Sequence, residues 1–256
     1  MINNQKIGIK NINLEEVFRA LNEYGTKVIK SGNVLDVYEY KIPIKYGFTG
    51  GKGGRKKEGS TKKEEVEINR VTSLNRARKT LRGIVNSNVE KYSKFLTLTF
   101  AENIQDIQSA NREFSKFIMR LNYNLKIKVL YSAVIEFQKR GAIHYHVILY
   151  NVPQKLDMKV LGELWGNGFV KVNKIDHVDN VGAYMCKYMT KCDDEEKLRG
   201  KKLYFNSRGL KKPEEIKEPA LVKAIASSLD GQAPKYSNTF VNEYNCINYK
   251  QYIISE

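Results

Sequence analysis

Cysteine, histidine and proline are scarce in this chain of 256 residues, which contains three, three and five of them. The cysteines, Cys186, Cys192 and Cys246, are an odd number without the spacing of a disulfide framework or a zinc knuckle. The sequence therefore predicts a reduced, intracellular protein. No run of residues is long and apolar enough to span a bilayer, and no signal-peptide pattern opens the chain. We expect a cytoplasmic location and no membrane association.

A nucleotide-binding Walker A motif is also missing. Gly51-Lys52 and Gly200-Lys201 are each followed by glycine or lysine, whereas the motif requires serine or threonine after the lysine. We therefore expect no nucleotide cofactor.

Acidic residues are too few to balance the basic ones. The chain has 28 Asp and Glu residues against 44 Lys and Arg residues, which gives a net charge of +16 and a pI near 9.5. This excess is larger than solubility requires, and it predicts a polyanionic partner, with nucleic acid as the first choice.

Composition and periodicity divide the chain into four segments. Residues 1–48 are predicted to form a structured N-terminal extension, and residues 49–64 a flexible basic loop or linker rich in glycine and lysine. Residues 65–215 are predicted to form the main domain. Residues 216–256 add a helix and a strand, which we expect to pack on the same domain.

The main domain alternates strands with helices. Lys94–Phe100 has the β-branched and aromatic residues of a buried strand, and Ile104–Leu121 has the spacing of an amphipathic helix. The pattern predicts an α+β fold with helices flanking one central antiparallel sheet, compatible with a ferredoxin-like or RRM-like topology. Further helices are predicted over residues 72–86, 156–165 and 214–228.

Two of the three histidines, His144 and His146, lie one residue apart in a strand-like run, so their side chains share one face of a sheet. The preceding residues 139–141, Lys-Arg-Gly, suit a three-residue hairpin loop with Gly141 in the left-handed conformation. Pairing is then centred on residue 140, and Glu136 lies opposite His144. A four-residue loop would instead move Glu136 to the other face.

Two imidazoles and one carboxylate on one face can bind a divalent metal ion. His144, His146 and Glu136 would leave open positions on the ion, as in catalytic metal sites. The alternative is that the histidines are ordinary strand residues. We expect His177 to be a cap or surface residue and not a third histidine ligand.

A pair of tyrosines follows on a predicted helix that ends near Lys191, with Asp176 or Asp179 as its N-cap. Tyr184 and Tyr188 are one helical turn apart and share a face with two lysines. Nearby ammonium groups favour the phenolate, which suits a nucleophile that attacks phosphorus.

Tyr184 lies squarely among the lysines, whereas Tyr188 borders the apolar face. Tyr184 is therefore the predicted first nucleophile. The alternative is that both tyrosines are packing residues.

Basic residues form candidate phosphate contacts near these elements. Arg112, Lys116 and Arg120 recur at every fourth position of the amphipathic helix. The alternative is a solvated helix face. The residues predicted to contact DNA are Lys139, Arg140, Arg112, Lys116, Arg120 and Lys191.

These stretches together resemble the HUH endonucleases, and among them the rolling-circle replication initiators. Phe95–Phe100 resembles the family's first motif and His144–Leu149 its histidine–hydrophobic–histidine motif. Glu136 matches an acidic metal ligand of several branches. Residues 184–188, Tyr-x-x-Lys-Tyr, resemble the two-tyrosine motif of phage initiators such as the filamentous gene II and microvirus gene A proteins.

The resemblance covers roughly residues 70–215 and implies an HUH endonuclease fold that binds Mg²⁺ or Mn²⁺. It implies that Tyr184 nicks single-stranded or extruded origin DNA and forms a 5′-phosphotyrosine. Lys187 would stabilise negative charge, and Tyr188 would make the second transfer that rejoins the strand. A host helicase and polymerase are the expected protein partners.

Two other interpretations stay open. The chain could be another HUH nuclease, a relaxase or a single-strand transposase, although relaxases tend to place the nucleophile before the histidines. It could also be a non-catalytic RRM-like domain that binds nucleic acid.

Overall fold

The computed structural model describes most of the chain from residue 23 onward. Lys139, His177 and Lys191 of the predicted site lie outside the described residues, as do residues 1–22 and 48–62 of the predicted extension and linker. The described residues are 23–47, 63–138, 140–173, 175, 178–190, 201–202 and 204–254.

The described part of the chain contains ten strands and five helices. The strands are β1 (Glu23–Ser31), β2 (Val34–Lys45), β3 (Lys94–Thr99), β4 (Tyr131–Phe137), β5 (Ile143–Leu149), β6 (Val170–Asn173), β7 (Tyr204–Asn206), β8 (Glu214–Ile216), β9 (Tyr236–Val241) and β10 (Cys246–Ile253). The helices are α1 (Lys63–Asn88), α2 (Ile107–Leu125), α3 (Met158–Trp165), α4 (Val181–Thr190) and α5 (Pro219–Ser228). None of these helices is long and apolar enough to cross a membrane.

The strands form two antiparallel five-stranded sheets, so the predicted α+β class is confirmed. The first, which we call the terminal sheet, has the order β8-β1-β2-β10-β9. The second, which we call the histidine sheet, has the order β6-β3-β5-β4-β7. The sequence pattern predicted one central sheet and missed that the strands near the two ends build a sheet of their own.

Each sheet belongs to its own compact unit. The terminal sheet with α5 forms one unit, and the histidine sheet with α1 to α4 forms the other. The segment from β9 to β10 therefore pairs within the terminal sheet. The predicted domain boundaries stay a prediction.

The centre of the histidine sheet is β5, whose seven residues are all buried. Alternate residues of a strand point to opposite faces. Tyr145, Val147 and Leu149 pack in an apolar cluster with α2 and α3. Ile148 packs on the other face with residues of α1 and α4. His144 and His146 share that second face, which we call the site face.

Capping residues set the helix boundaries and correct several predicted ones. Asp106 accepts a hydrogen bond from the Ser109 backbone N–H at 2.8 Å, so α2 begins at Ile107 and not at Ile104. Lys126 then ends the helix in the left-handed conformation (φ 54°). Asp157 caps α3 in the same way as Asp106 caps α2.

The helix predicted over residues 214–228 is wrong in its first third. Residues Glu214–Ile216 form β8 instead, and α5 begins only at Pro219. Glu218 accepts hydrogen bonds from the next two free backbone N–H groups, at Ala220 and Leu221. Proline is well suited to the first helical position because it has no N–H to leave unpaired.

Candidate active site

The hairpin between β4 and β5 has the predicted three-residue loop. The Gln138 N–H donates to the Ala142 carbonyl at 2.9 Å, and the Gly141 N–H donates back to the Gln138 carbonyl at 2.7 Å. Gly141 has φ +83°, a left-handed conformation that glycine adopts without strain. The ladder places Glu136 directly opposite His144, so the predicted register is confirmed.

His146 is held from both of its ring nitrogens. Its Nε2 lies 2.5 Å from Oε2 of Glu136, on the neighbouring strand β4. Its Nδ1 lies 3.2 Å from the hydroxyl of Thr97, its direct partner on β3. Thr97 was missed at the sequence level because nothing local to it predicts which strand β5 pairs with on its second side. The two contacts fix the orientation of the ring.

His144 is buried next to this pair, and its Nε2 makes no hydrogen bond within the described part of the structure. Burial lowers the pKa of His144. The neighbouring His146 lowers it further, and Glu136 opposes the shift. His144 is therefore neutral at pH 7 and keeps a lone pair on one ring nitrogen.

The donor types fit a divalent metal ion, but the side chains are not gathered around a common point. Imidazole and carboxylate are suitable ligands for such ions, and a buried, unpaired imidazole nitrogen is a group that an ion would satisfy. Among the residues that the structure describes, however, no three His, Cys, Asp or Glu side chains form a group that could hold an ion. Glu136 instead contacts His146 directly, with His144 beside them.

Helix α4 begins at an asparagine and not at either predicted aspartate. The Asn180 side chain accepts a hydrogen bond from the Ala183 N–H at 2.9 Å, which makes Asn180 the cap of α4. Asp179 precedes this cap, and Asp176 lies outside the described residues.

A glycine and an asparagine fix α4 against α1. A Cβ added to Gly182 would lie 2.3 Å from the Arg82 carbonyl oxygen, so only glycine allows this close approach. Asn86 of α1 accepts from the Gly182 N–H at 2.7 Å and donates to the Asn180 side chain at 2.9 Å. These contacts determine where the tyrosines of α4 lie over the sheet.

The two tyrosines of α4 pack on the site face beside the histidines. The Tyr188 ring stacks on the His146 ring, with centroids 3.6 Å apart and planes 24° apart. Its hydroxyl donates to the Tyr184 hydroxyl at 3.0 Å. Both rings also contact Phe95 of β3, with centroids 5.3 and 5.6 Å away. The structure thus brings both predicted nucleophiles to the Glu136–His146 pair.

The electrostatics of the tyrosine pair differ from the prediction at one residue. Burial raises the pKa of Tyr188, and its hydrogen bond to Tyr184 and the charge of Glu136 add to the shift. Lysines were predicted to favour the phenolates, and for Tyr188 that direction is wrong. Lys187 Nζ lies 5.8 Å from the centre of the Tyr184 ring.

The predicted basic stripe lies on α2, across the sheet from the histidines, because α2 packs on the opposite face. Arg120 donates to the carbonyls of Leu164 and Trp165 at 2.7 and 3.0 Å, and so caps the last turn of α3. Lys116 forms an ion pair with Glu113 at 2.7 Å.

Arg112 and Lys116 line a cleft of about 530 Å³ beside the turn at Gly166–Gly168. Arg140, in the hairpin loop, is exposed and donates to the Gln138 side chain at 3.2 Å. Of these basic residues, Arg140 is the one in the loop that leads into β5. Whether any of them contacts DNA stays a prediction.

The fold and site define an α+β protein with a Glu–His pair on a central sheet and two tyrosines stacked over it. Residues 93–193 match the family model of the replication-associated proteins of the ORF2 and gene II protein type. The matched segment covers less than half of the chain and contains β3, the histidine hairpin and α4. The match supports a replication-associated role, that of an initiator. No curated protein and no solved structure gives a significant match.

Proposed function

We propose that this chain is a rolling-circle replication initiator that nicks single-stranded or extruded origin DNA through a tyrosine nucleophile. The observation that carries the proposal is the stacking of Tyr188 on His146, with Tyr184 hydrogen-bonded to Tyr188. Two phenolic oxygens next to buried imidazole and carboxylate groups suit phosphoryl transfer more than they suit packing alone. The family match to residues 93–193 supports the same function.

In the proposed reaction, the Tyr184 oxygen attacks the scissile phosphorus and the bond from phosphorus to the 3′ oxygen breaks. The phosphate stays on the 5′ end of the downstream strand as a 5′-phosphotyrosine. The departing 3′ oxygen takes up a proton and becomes a free hydroxyl, and Tyr184 loses its own proton. Because the phosphoester is retained as a covalent bond, the strand can be rejoined without a nucleotide cofactor.

The hydrogen bond between the tyrosines supports Tyr184 as the first nucleophile. Tyr188 donates and Tyr184 accepts, and a donated hydrogen bond stabilises an oxygen that carries negative charge. Tyr188 keeps its proton more firmly, since its pKa is raised. It is proposed to act in the second transfer, when the strand is rejoined.

Glu136, His144 and His146 are the proposed ligands of Mg²⁺ or Mn²⁺, which when bound supplies a Lewis acid for the scissile phosphate. Thr97 orients His146 from the ring nitrogen opposite Glu136. Lys187 neutralises charge on the phosphate or the phenolate. The net charge of +16 favours DNA binding through phosphates, which predicts that affinity falls as salt rises. A host helicase and polymerase are the proposed partners after nicking.

The test uses oligonucleotides tiled across the DNA beside the gene, incubated with the protein and Mn²⁺. A covalent protein–DNA adduct is expected with the wild type and is expected to disappear in Tyr184→Phe. An unchanged adduct yield in Tyr184→Phe, with loss in Tyr188→Phe, would reassign the first nucleophile. Binding of single-stranded DNA without any cleavage would instead favour the non-catalytic interpretation.

The relaxase and transposase alternatives are separated by the products. An initiator with two nucleophiles closes the released strand into a circle, and this step should fail in Tyr188→Phe while the first adduct still forms. Closure that continues in Tyr188→Phe would remove the second-nucleophile role.

A further inference from the structure

The site face continues past β3 to the edge of the histidine sheet. Phe169 directly precedes β6, and its backbone exchanges two hydrogen bonds with Thr99, at 2.9 and 3.1 Å. Residues that exchange both bonds lie directly opposite each other, with side chains on one face. Thr99 is in turn opposite His144, and His144 opposite Glu136. Phe169, Thr99, His144 and Glu136 therefore form one row across four strands.

Phe169 is the open end of this row. Its side chain is 66% exposed, whereas His144, two strands away, is buried. In the described part of the structure the Phe169 ring contacts no other aromatic ring. A single exposed apolar residue is common on protein surfaces, so its exposure alone carries nothing. Its place in the row of the candidate active site is what points to a ligand.

Lys171 lies beside Phe169 on the same face. It is exposed and lies opposite Thr97, which is opposite His146. The edge strand thus presents an aromatic ring and an ammonium group two residues apart, next to the two histidines. Aromatic rings that stack with bases, interleaved with cations that contact phosphates, are how proteins bind single-stranded nucleic acid.

We propose that Phe169 and Lys171 form a subsite for single-stranded DNA beside the scissile phosphate. The Phe169 ring stacks on a base, and Lys171 contacts a backbone phosphate. Two strand spacings, roughly 10 Å, separate Phe169 from His144, so the bound base is a near neighbour of the phosphate that is cut. The proposal rests on the proposed function, and Phe169 is a positioning residue that takes no part in the chemistry.

The binding test measures fluorescence anisotropy of a short labelled oligothymidylate, which requires no cleavage. Phe169→Ala is expected to bind about tenfold more weakly than the wild type, the loss of one stacked base. Phe169→Leu should bind as weakly as Phe169→Ala because it keeps apolar area without a ring, and Phe169→Trp should retain wild-type affinity. The matched control is Tyr123→Ala, which removes an aromatic side chain 88% exposed on α2.

Equal affinity of wild type, Phe169→Ala and Phe169→Leu would overturn the subsite, and so would an equal loss in Tyr123→Ala. The failure of the proposed function looks different, since the wild type would then form no covalent adduct while the binding series is still read. On an oligonucleotide that the wild type cleaves, Phe169→Ala should raise KM and leave kcat near the wild-type value. A loss of kcat with unchanged KM would contradict a positioning role.

Discussion

The two faces of the histidine sheet are made from the same strands and differ completely in chemistry. On the face under α2, Tyr145 lies between two apolar residues of β5, and its ring stacks on Phe114 with centroids 4.7 Å apart. On the site face the same strand presents His144 and His146, which lie next to Glu136 and Tyr188. One face is packed to stabilise the fold. The other exchanges some of that packing for buried polar groups, which cost free energy unless a function uses them.

Removal of a packed ring from the α2 face should have the largest effect on stability. Phe114→Ala deletes a buried side chain in contact with Tyr145, Tyr131 and Phe205. We expect the free energy of unfolding to fall by about 3–5 kcal/mol, measured by urea denaturation. The protein that remains folded should keep its activity. A loss of activity per folded molecule would show that the two faces are not separable.

Removal of a histidine from the site face should have the opposite profile. His146→Ala should lower adduct formation with Mn²⁺ by at least about 10²-fold, since even outer-shell partners of metal ligands cost up to that factor, and it should leave the fold intact. The matched control is the adjacent Tyr145→Phe, which removes only a hydroxyl that donates to Asn111 on the other face. A metal titration followed by tryptophan fluorescence would report binding without activity. Equal activity in His146→Ala and Tyr145→Phe would contradict the site.

A smaller effect on the same face should come from the residue that orients His146. Thr97→Val keeps the shape of the side chain and removes the hydroxyl that contacts Nδ1. We expect adduct formation and metal affinity each to fall about tenfold, the lower end of outer-shell effects. Thr97→Ser, which keeps the hydroxyl, should restore most of the loss. If Thr97→Ser is as impaired as Thr97→Val, the hydroxyl is not the important group.

The part of the site that could be predicted is the part that local rules determine. Loop length and the conformation of Gly141 fix the β4–β5 register, so Glu136 could be placed opposite His144 from the sequence alone. Helical spacing likewise placed Tyr184 and Tyr188 on a common face. Each inference used residues within about two helical turns or one hairpin of each other.

The contacts that were missed join distant parts of the chain. Thr97 reaches His146 only because β3 pairs with β5, a choice made by the packing of the whole sheet. Tyr188 reaches His146 because Gly182 lets α4 approach α1 closely. The direct contact between Glu136 and His146 also depends on side-chain orientation, which strand register alone does not determine. Burial by these distant elements reversed the expected pKa shift of Tyr188.

The smallest predicted effect concerns the helix that covers the apolar face, and it is a pH dependence. A hydrogen bond from Ser109 to Asp106, the cap of α2, lowers the pKa of this carboxyl. A carboxyl with a lowered pKa stabilises the fold above its ordinary pKa of about 4, and the contribution is lost as pH falls through the folded value. Asp106→Asn keeps a capping oxygen that does not titrate. In urea denaturation between about pH 7 and pH 3, the wild type should therefore lose more stability than Asp106→Asn. Because Asp106 is exposed and lies on the helix across the sheet from the histidines, adduct formation per folded molecule should not differ between the two. Parallel pH profiles for wild type and Asp106→Asn would remove the charge of Asp106 from the energetics of α2, and a difference in adduct yield would couple the two faces of the sheet.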